Sequence, residues 1–392
     1  MGAVELKRLP KVVRGLSLVS GFNDAASEMV YPLLPAFLTA TLGAPAAALG
    51  VLDGAADLAA SLVRLASGRI ADRAARRGPL VLFGYALAGV IRPLIALAQS
   101  AGMVIGLRVA DRIGKGIRSP ARDAMIAESV PAEMRGRAFG FHRAFDHGGA
   151  MVGGLLAWFL VSQGLTPRQV IGWSVVPGVL VVVVLAVTLR AVSKGAHHAA
   201  PLSAPLRAPQ PVMDPASRFW PQISALALIL VTRLPETLLL LHLSRGGVAL
   251  ALVPLAWAGL HVVRSTVAYP AGRLVDRIGE RGVVALSGSL GAIGAYAFSV
   301  AATPLALIGV FLALGLVTGI GEPAEKSLVA RLAPKGAGRA FGEAQALLGF
   351  GALTAGLGFG LLVDARGSAA ALLLSAIAGV AATIGWLLVS DR

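Results

Sequence analysis

Apolar runs of roughly helix-spanning length alternate with short polar connections along the whole chain of 392 residues. A helix crossing a bilayer needs about 20 mostly apolar residues. That pattern predicts twelve spans. Six lie near 15–41, 46–67, 79–99, 103–128, 138–162 and 169–190, and six near 219–243, 248–271, 283–302, 304–330, 340–362 and 368–389. The fourth breaks the pattern, because the stretch from Leu107 to Ser129 carries Arg108, Asp111, Arg112, Lys115, Arg118, Arg122 and Asp123. On an ideal helix these charges fall within an arc of about 140°, opposite Val109, Ile113, Ile117 and Ala124. A lipid-facing charge costs roughly 2.5–3.5 kcal/mol at the bilayer centre, against about 0.3–0.6 returned by each Leu or Ile. The charged arc must therefore look into protein or a water-filled cavity.

Composition sets the class. The chain is 56% hydrophobic and only 14% charged, with a mean hydropathy of +0.77, which makes it an all-α integral membrane protein. Its net charge of +15 comes from small groups of Lys and Arg between apolar runs, not from one basic face, so nucleic acid is not the expected partner. Even-numbered connections hold Arg69, Arg73, Arg76 and Arg77, then Arg135 and Arg137, then Arg273, Arg277 and Arg281. Odd-numbered connections hold only Arg168, Arg245 and Arg366. The bias predicts a multi-pass protein with both termini and the central loop in the cytoplasm. Asn23, Asp24 and Glu28 interrupt the first apolar run, which argues against a cleaved signal peptide. With no cysteine, disulfides and thiol chemistry are excluded.

Internal repetition divides the chain. Gly68-Arg69-Ile70-Ala71-Asp72-Arg73 returns as Gly272-Arg273-Leu274-Val275-Asp276-Arg277, and Gly136-Arg137-Ala138-Phe139-Gly140 returns as Gly338-Arg339-Ala340-Phe341-Gly342. Pro120 and Pro131 answer to Pro323 and Pro334. A same-direction repeat of six spans predicts two pseudo-symmetric bundles, residues 1–190 and 218–392, related by an axis along the membrane normal. The stretch 191–217, with five prolines and a solvated His197-His198 pair, reads as the linker.

Charges inside spans supply the candidate chemistry. Asp24 and Glu28 share a face of the first span, as do His142 with Asp146 and Arg143 with His147 in the fifth. Arg233 and Glu236 lie in the seventh span, Glu322 and Glu325 in the tenth. One reading makes them gate pairs, Arg118 and Arg122 meeting Glu322 and Glu325 across the pseudo-twofold axis. The other makes a carboxylate or a His the proton acceptor of a transport cycle; Asp24, Glu28, Asp146 and His142 are its candidates. Arg112, Lys115, Arg118, Arg122, Arg143 and Arg233 supply a positive field suited to an anionic or zwitterionic solute. A cationic drug or a divalent metal held by Asp24, Glu28, Asp146 and His147 is the alternative, and a non-transporting receptor a remote one. Asp53, Asp57 and Arg64 share one stripe of the second span and read as inter-helix partners. There is no phosphate-binding glycine loop, zinc-binding His pair or nucleophile elbow, so the chain is expected to be neither an enzyme nor a user of ATP or other cofactors. A proton gradient is the expected driving force. Lipid covers the apolar surface of such a bundle, so one chain suffices.

These features together resemble the major facilitator superfamily. The resemblance rests most on the loop after the second span of each half: Gly68, Ile70, Asp72, Arg73, Arg76 and Arg77, with Ala75 in place of the family's Gly, and Gly272, Leu274, Asp276, Arg277, Gly279 and Arg281. It implies a cytoplasmic latch at these loops and a cavity lined by the first, fourth, seventh and tenth spans. Arg112-Ile113-Gly114-Lys115-Gly116 is similar to the family's fourth-span motif, with Lys for Gln, and implies a part for Arg112 in proton transfer. The antiporter motif of the fifth span survives only as Gly149-Ala150-Met151-Val152-Gly153-Gly154, small residues that also suit close helix packing. Asp24, Glu28, Tyr31, Pro32 and Pro35 with the charged fourth span look like a bacterial exporter-like subgroup, which implies the cytoplasmic membrane and outward transport.

Overall fold

The computed structural model describes the backbone of residues 9–73, 77–130, 135–195, 216–332 and 337–390. Its helices are α1 (Lys11–Val30), α2 (Leu34–Ala36), α3 (Ala46–Arg73), α4 (Gly78–Leu94), α5 (Ala101–Glu128), α6 (Arg135–Ser162), α7 (Pro167–Trp173) and α8 (Val175–Gly195). They continue as α9 (Ala216–Val231), α10 (Glu236–Arg245), α11 (Leu252–Val300), α12 (Pro304–Leu332), α13 (Ala337–Arg366) and α14 (Ser368–Ser390). No strand occurs among the described residues.

Local chemistry sets several of these boundaries. Pro32 and Pro35 lack the N–H a helix needs, and the chain after α1 passes through a 3₁₀ turn at Tyr31–Leu33 and a π turn at Phe37–Thr41. Ser100 caps α5 by accepting the Met103 N–H, and Thr166 and Gln169 form a capping box at α7. Gly279 bends α11 with φ 74° and ψ 163°, a backbone only glycine adopts easily, so α11 holds two spans. Pro120 and Pro323, matched by the repeat, both sit inside their helices.

Among the described residues nine helical stretches are long and apolar enough to cross a membrane, and Leu252–Ala268 is a shorter apolar one. The two predicted spans outside that set are α1 and α5, which carry the interior charges. The linker, including His197-His198, lies mostly outside the described residues.

Within the first half α1 packs on α6 and α8, and α5 on α3 and α4; within the second, α11 packs on α12 and α14, and α9 on α13 and α14. The halves meet along two seams, α3 with α13 and α6 with α11. Glycines set the first seam's depth: a Cβ at Gly50 would lie 1.8 Å from the Gly356 carbonyl oxygen.

The apolar cores are distributed unequally between the two ends. At the end bearing the odd-numbered connections, one cluster runs across both halves, joining Leu38, Leu49 and Ile95 to Leu238, Phe298 and Ala371. At the opposite end each half has its own core, around Leu16 and Tyr85 in the first and around Phe219 and Trp386 in the second. The halves are thus sealed together at the odd-numbered end.

Candidate functional site

The fourth predicted span, α5, turns its charges inward. Arg108, Asp111 and Arg118 are 1%, 1% and 2% exposed. Asp111 takes Arg92 Nε at 2.9 Å and Arg108 Nη1 at 3.3 Å, and Arg92 also donates to the Asn23 carbonyl at 2.8 Å. This network ties α1, α4 and α5 together.

Directly beneath the shared core a cavity of about 150 Å³ opens between the halves. The first half supplies Glu28, Tyr31, Asp53, Asp57, Arg108 and Arg112, and the second supplies Glu236, Trp257 and His261. Glu28 accepts from Trp257 Nε1 at 2.9 Å and has His261 Nε2 3.9 Å away. Glu236 is paired with Arg264. Asp53 accepts from Tyr31 Oη at 3.0 Å, and from Thr237 Oγ1 at 2.7 Å and Thr237 N at 3.2 Å. The aromatic faces are occupied as well: the Arg108 guanidinium lies 5.0 Å from the Tyr31 ring centre, and Arg264 lies 5.8 Å from that of Trp257. Arg112 and Asp57 line the cavity with no hydrogen-bond or ion-pair partner among the described residues, and the Arg112 Nε is buried. The cavity therefore offers an incoming solute the Arg112 guanidinium and the Asp57 carboxylate, beside an Arg108 whose Nε and Nη2 also have no hydrogen-bond partner among the described residues.

Of the residues predicted from sequence, Glu28, Arg112 and Glu236 line this cavity. Asp24, about one helical turn from Glu28 toward the even-numbered end, takes the Asn23 amide at 2.9 Å and has Lys115 and Asp146 as electrostatic neighbours. His142 is buried 3.7 Å from Asp146. Arg118 and Arg122 do not reach Glu322 or Glu325. Arg118 donates to the Gly84 carbonyl at 3.2 Å and stacks 4.5 Å from the Tyr85 ring centre. Arg122 pairs with Asp123 at 2.8 Å and donates to Ser20 Oγ at 3.2 Å. Their side chains remain within the first half on these nearer partners, although the buried Arg118 Nε has no hydrogen-bond partner among the described residues. The tenth-span acids find others: Glu322 pairs with Lys326 and, across the halves, with Arg143 at 3.6 Å, while Glu325 lies 3.6 Å from Arg233.

In the predicted latch loops, Arg77 pairs with Glu128, Arg281 donates to the Leu387 carbonyl at 2.8 Å, and Arg277 is exposed on α11, where Gly272 also lies. Gly68, Asp72, Arg73, Arg76 and Asp276 lie outside the residues whose side chains are described. The small-residue stretch of α6 is a packing surface: a Cβ at Gly149 would lie 2.0 Å from the Gly21 carbonyl oxygen, and one at Gly153 2.3 Å from that of Ala25. Among the described residues, no three acidic or His side chains converge as metal ligands, so Asp24, Glu28, Asp146 and His147 are not gathered into one set.

Tyr31, Asp53, Asp57, Arg108, Trp257 and His261 were not among the predicted site residues. Asp53 and Asp57, two carboxylates one turn apart in an apolar helix, and Arg108, in the charged arc of the fourth span, carried the available signal. Trp257 offered none, since a Trp in a span reads equally as core.

Similarity to known proteins matches this architecture. The family model described as Major Facilitator Superfamily matches residues 16–264 and 241–392. A protein of Mycobacterium tuberculosis (strain ATCC 25618 / H37Rv) is 31% identical over 313 residues, 79% of this chain and 75% of its own length. Among solved structures, a bacterial homolog of the human lysosomal transporter Spinster, inward-facing and unoccupied, aligns with TM-score 0.75 at 15% identity over 97% of this chain and 96% of its own. A D-xylose-proton symporter aligns with TM-score 0.70 at 17% identity over 96% and 95% of the two chains.

Proposed function

Because the chain belongs to the Major Facilitator Superfamily, and is therefore a multi-pass secondary transporter rather than an enzyme, we propose that it moves a small anionic or zwitterionic solute across the bacterial cytoplasmic membrane, coupled to protons. The two bundles rock about the cavity, exposing it to each side in turn, with export as the favoured direction. Both termini are cytoplasmic in this reading, so the sealed odd-numbered end is the outer one. One chain is the functional unit, surrounded by lipid, and no cofactor takes part.

The observation that carries the substrate class is Arg112, a guanidinium lining the cavity with no ion-pair partner among the described residues. A carboxylate or phosphate on the solute would satisfy it with paired hydrogen bonds. Asp57 on the same wall would meet an ammonium group, which is why a zwitterion fits as well as an anion. The four cavity carboxylates, Glu28, Asp53, Asp57 and Glu236, favour an organic cation as the second reading.

The test is internal pH in proteoliposomes under an imposed proton gradient, with anions, zwitterions and organic cations added in turn. Proton movement that depends on an anion or zwitterion and is lost in Arg112→Ala supports the proposal. Solute flux without proton movement removes the coupling, and flux of cations alone removes the substrate class.

A further inference from the structure

Two carboxylates cross between the halves in opposite directions, and each serves the N-terminus of a helix in the other half. Asp364 of α13 accepts the N–H groups of Ala46 and Ala47, the first two residues of α3, at 2.7 and 2.9 Å. Asp53 of α3 accepts the N–H of Thr237, in the first turn of α10, together with its hydroxyl. Pro235, at the N-cap of α10, has no side-chain acceptor of its own, so Asp53 stands in for the missing cap. Both contacts lie on the sealed side of the cavity, within or beside the shared apolar core.

Asp53 differs from the other cavity carboxylates in its partners. Glu236 has Arg264, Glu28 has His261 and Trp257, and Asp57 has no hydrogen-bond or ion-pair partner among the described residues. Every hydrogen bond to Asp53 comes from a neutral group, two hydroxyls and an amide. The charged and titratable groups that share the cavity with it are Asp57 on its own helix, Arg108 and Arg112 from α5, Glu28 of α1 with Tyr31 after it, Glu236 beside Thr237, and His261 from α11. From α13 it is Ala352, Leu353 and Gly356, none of them titratable, that approach Gly50 and Gly54 of α3. Arg108 is 1% exposed and lines the same cavity with Nε and Nη2 unpartnered.

We propose that Asp53 is the proton-binding residue of the cycle, and that its protonation releases α10 from α3 and so opens the odd-numbered end. The inference rests on the proton-coupled reading above. An ionised carboxylate accepts all of these bonds. A proton at Oδ1, which only the Tyr31 hydroxyl faces, neutralises the carboxyl; the Tyr31 hydroxyl turns to accept, and the two Thr237 bonds, both on Oδ2, change from charge-assisted to neutral and weaken. Proton binding and closure therefore make competing demands on the same negative charge, and by linkage each weakens the other. Asp364, which accepts backbone N–H groups only, is the fixed counterpart that seats α3.

The gate can be read without knowing the solute. The chain has no cysteine, so spin labels at Thr41→Cys and Ala249→Cys, both exposed at the odd-numbered end, report the distance between halves in the full-length protein. Acidification should lengthen the distance in the parent. In Asp53→Asn, whose amide oxygen still caps but binds no proton, the distance should not change on acidification, while Asp53→Glu and Asp364→Asn keep the pH response. No pH response in the parent overturns the inference. So does a response of the parent's size in Asp53→Asn. Proton flux in proteoliposomes separates the two claims: a parent that couples protons while Asp53→Asn still does so removes only the role of Asp53, and a parent that moves solute without protons removes the coupled reading itself.

Discussion

Asp364 Oδ1 accepts the backbone N–H of Ala46 at 2.7 Å, so a residue near the end of the eleventh span caps the second span across 318 positions of chain. Removing a cap costs about 0.5–2 kcal/mol, and this one exists only while the odd-numbered end is closed. Asp364→Ala should raise the population open at that end by about fivefold, with Asp364→Asn much milder because Asn also caps. The distance between spin labels at Thr41→Cys and Ala249→Cys measures it, and an unchanged distribution in the Ala variant refutes it.

Asp111 sits between two buried guanidinium groups, Arg92 and Arg108. Removing the shared carboxylate strands both charges, at about 3–5 kcal/mol for a buried pair. Asp111→Asn should lower the thermal transition in detergent strongly. Normal melting of that variant would show that the pair contributes little to holding α4 and α5.

Arg112 has no such partner among the described residues, so the same assay should barely respond to Arg112→Ala, whereas solute transport should be lost. Joint loss of stability and transport would recast Arg112 as a packing residue.

Close approach of glycines sets the seam between α3 and α13. Gly50→Ala would place its Cβ 1.8 Å from the Gly356 carbonyl, and Gly356→Ala would place its own 2.2 Å from that of Gly50. Each should cost about 1–3 kcal/mol of overpacking, read as a lower melting temperature, while Gly358→Ala, with nothing within 4 Å, is the control. Equal behaviour of the three would mean the helices separate freely.

The cross-half pair Arg143–Glu322 is 53% and 50% exposed at its two side chains. Such a pair contributes less than about 1 kcal/mol. Neither Arg143→Gln nor the exchange Arg143→Glu with Glu322→Arg should move the thermal transition measurably, and a large shift would show a desolvated gate instead.

Much of the fold was legible because its causes are local. The bilayer fixes a minimum length of apolar helix, and each predicted span has a helical counterpart, α11 holding two across the bend at Gly279. The charged arc of α5 had to face inward for the same reason, and Arg108, Asp111 and Arg118 do. Which residues would share the cavity was only half legible. Glu28, Arg112 and Glu236 announced themselves as charges in apolar helices, but Tyr31 and Trp257 are indistinguishable in sequence from core aromatics.

By itself the sequence determined the helices, their duplication into two bundles and the inward direction of the charges, since helical periodicity and the cost of charge in lipid act within one segment at a time. Only the tertiary structure decided the pairings: Arg122 with Asp123 and Ser20 instead of Glu322, Trp257 with Glu28 across 229 positions, and Asp53 at the start of α10. A helix's own period says which face a side chain takes. It does not say which residue of another helix will stand opposite, because that depends on the axial register and rotation of two helices packed far apart in sequence, and here on which end of the molecule is closed.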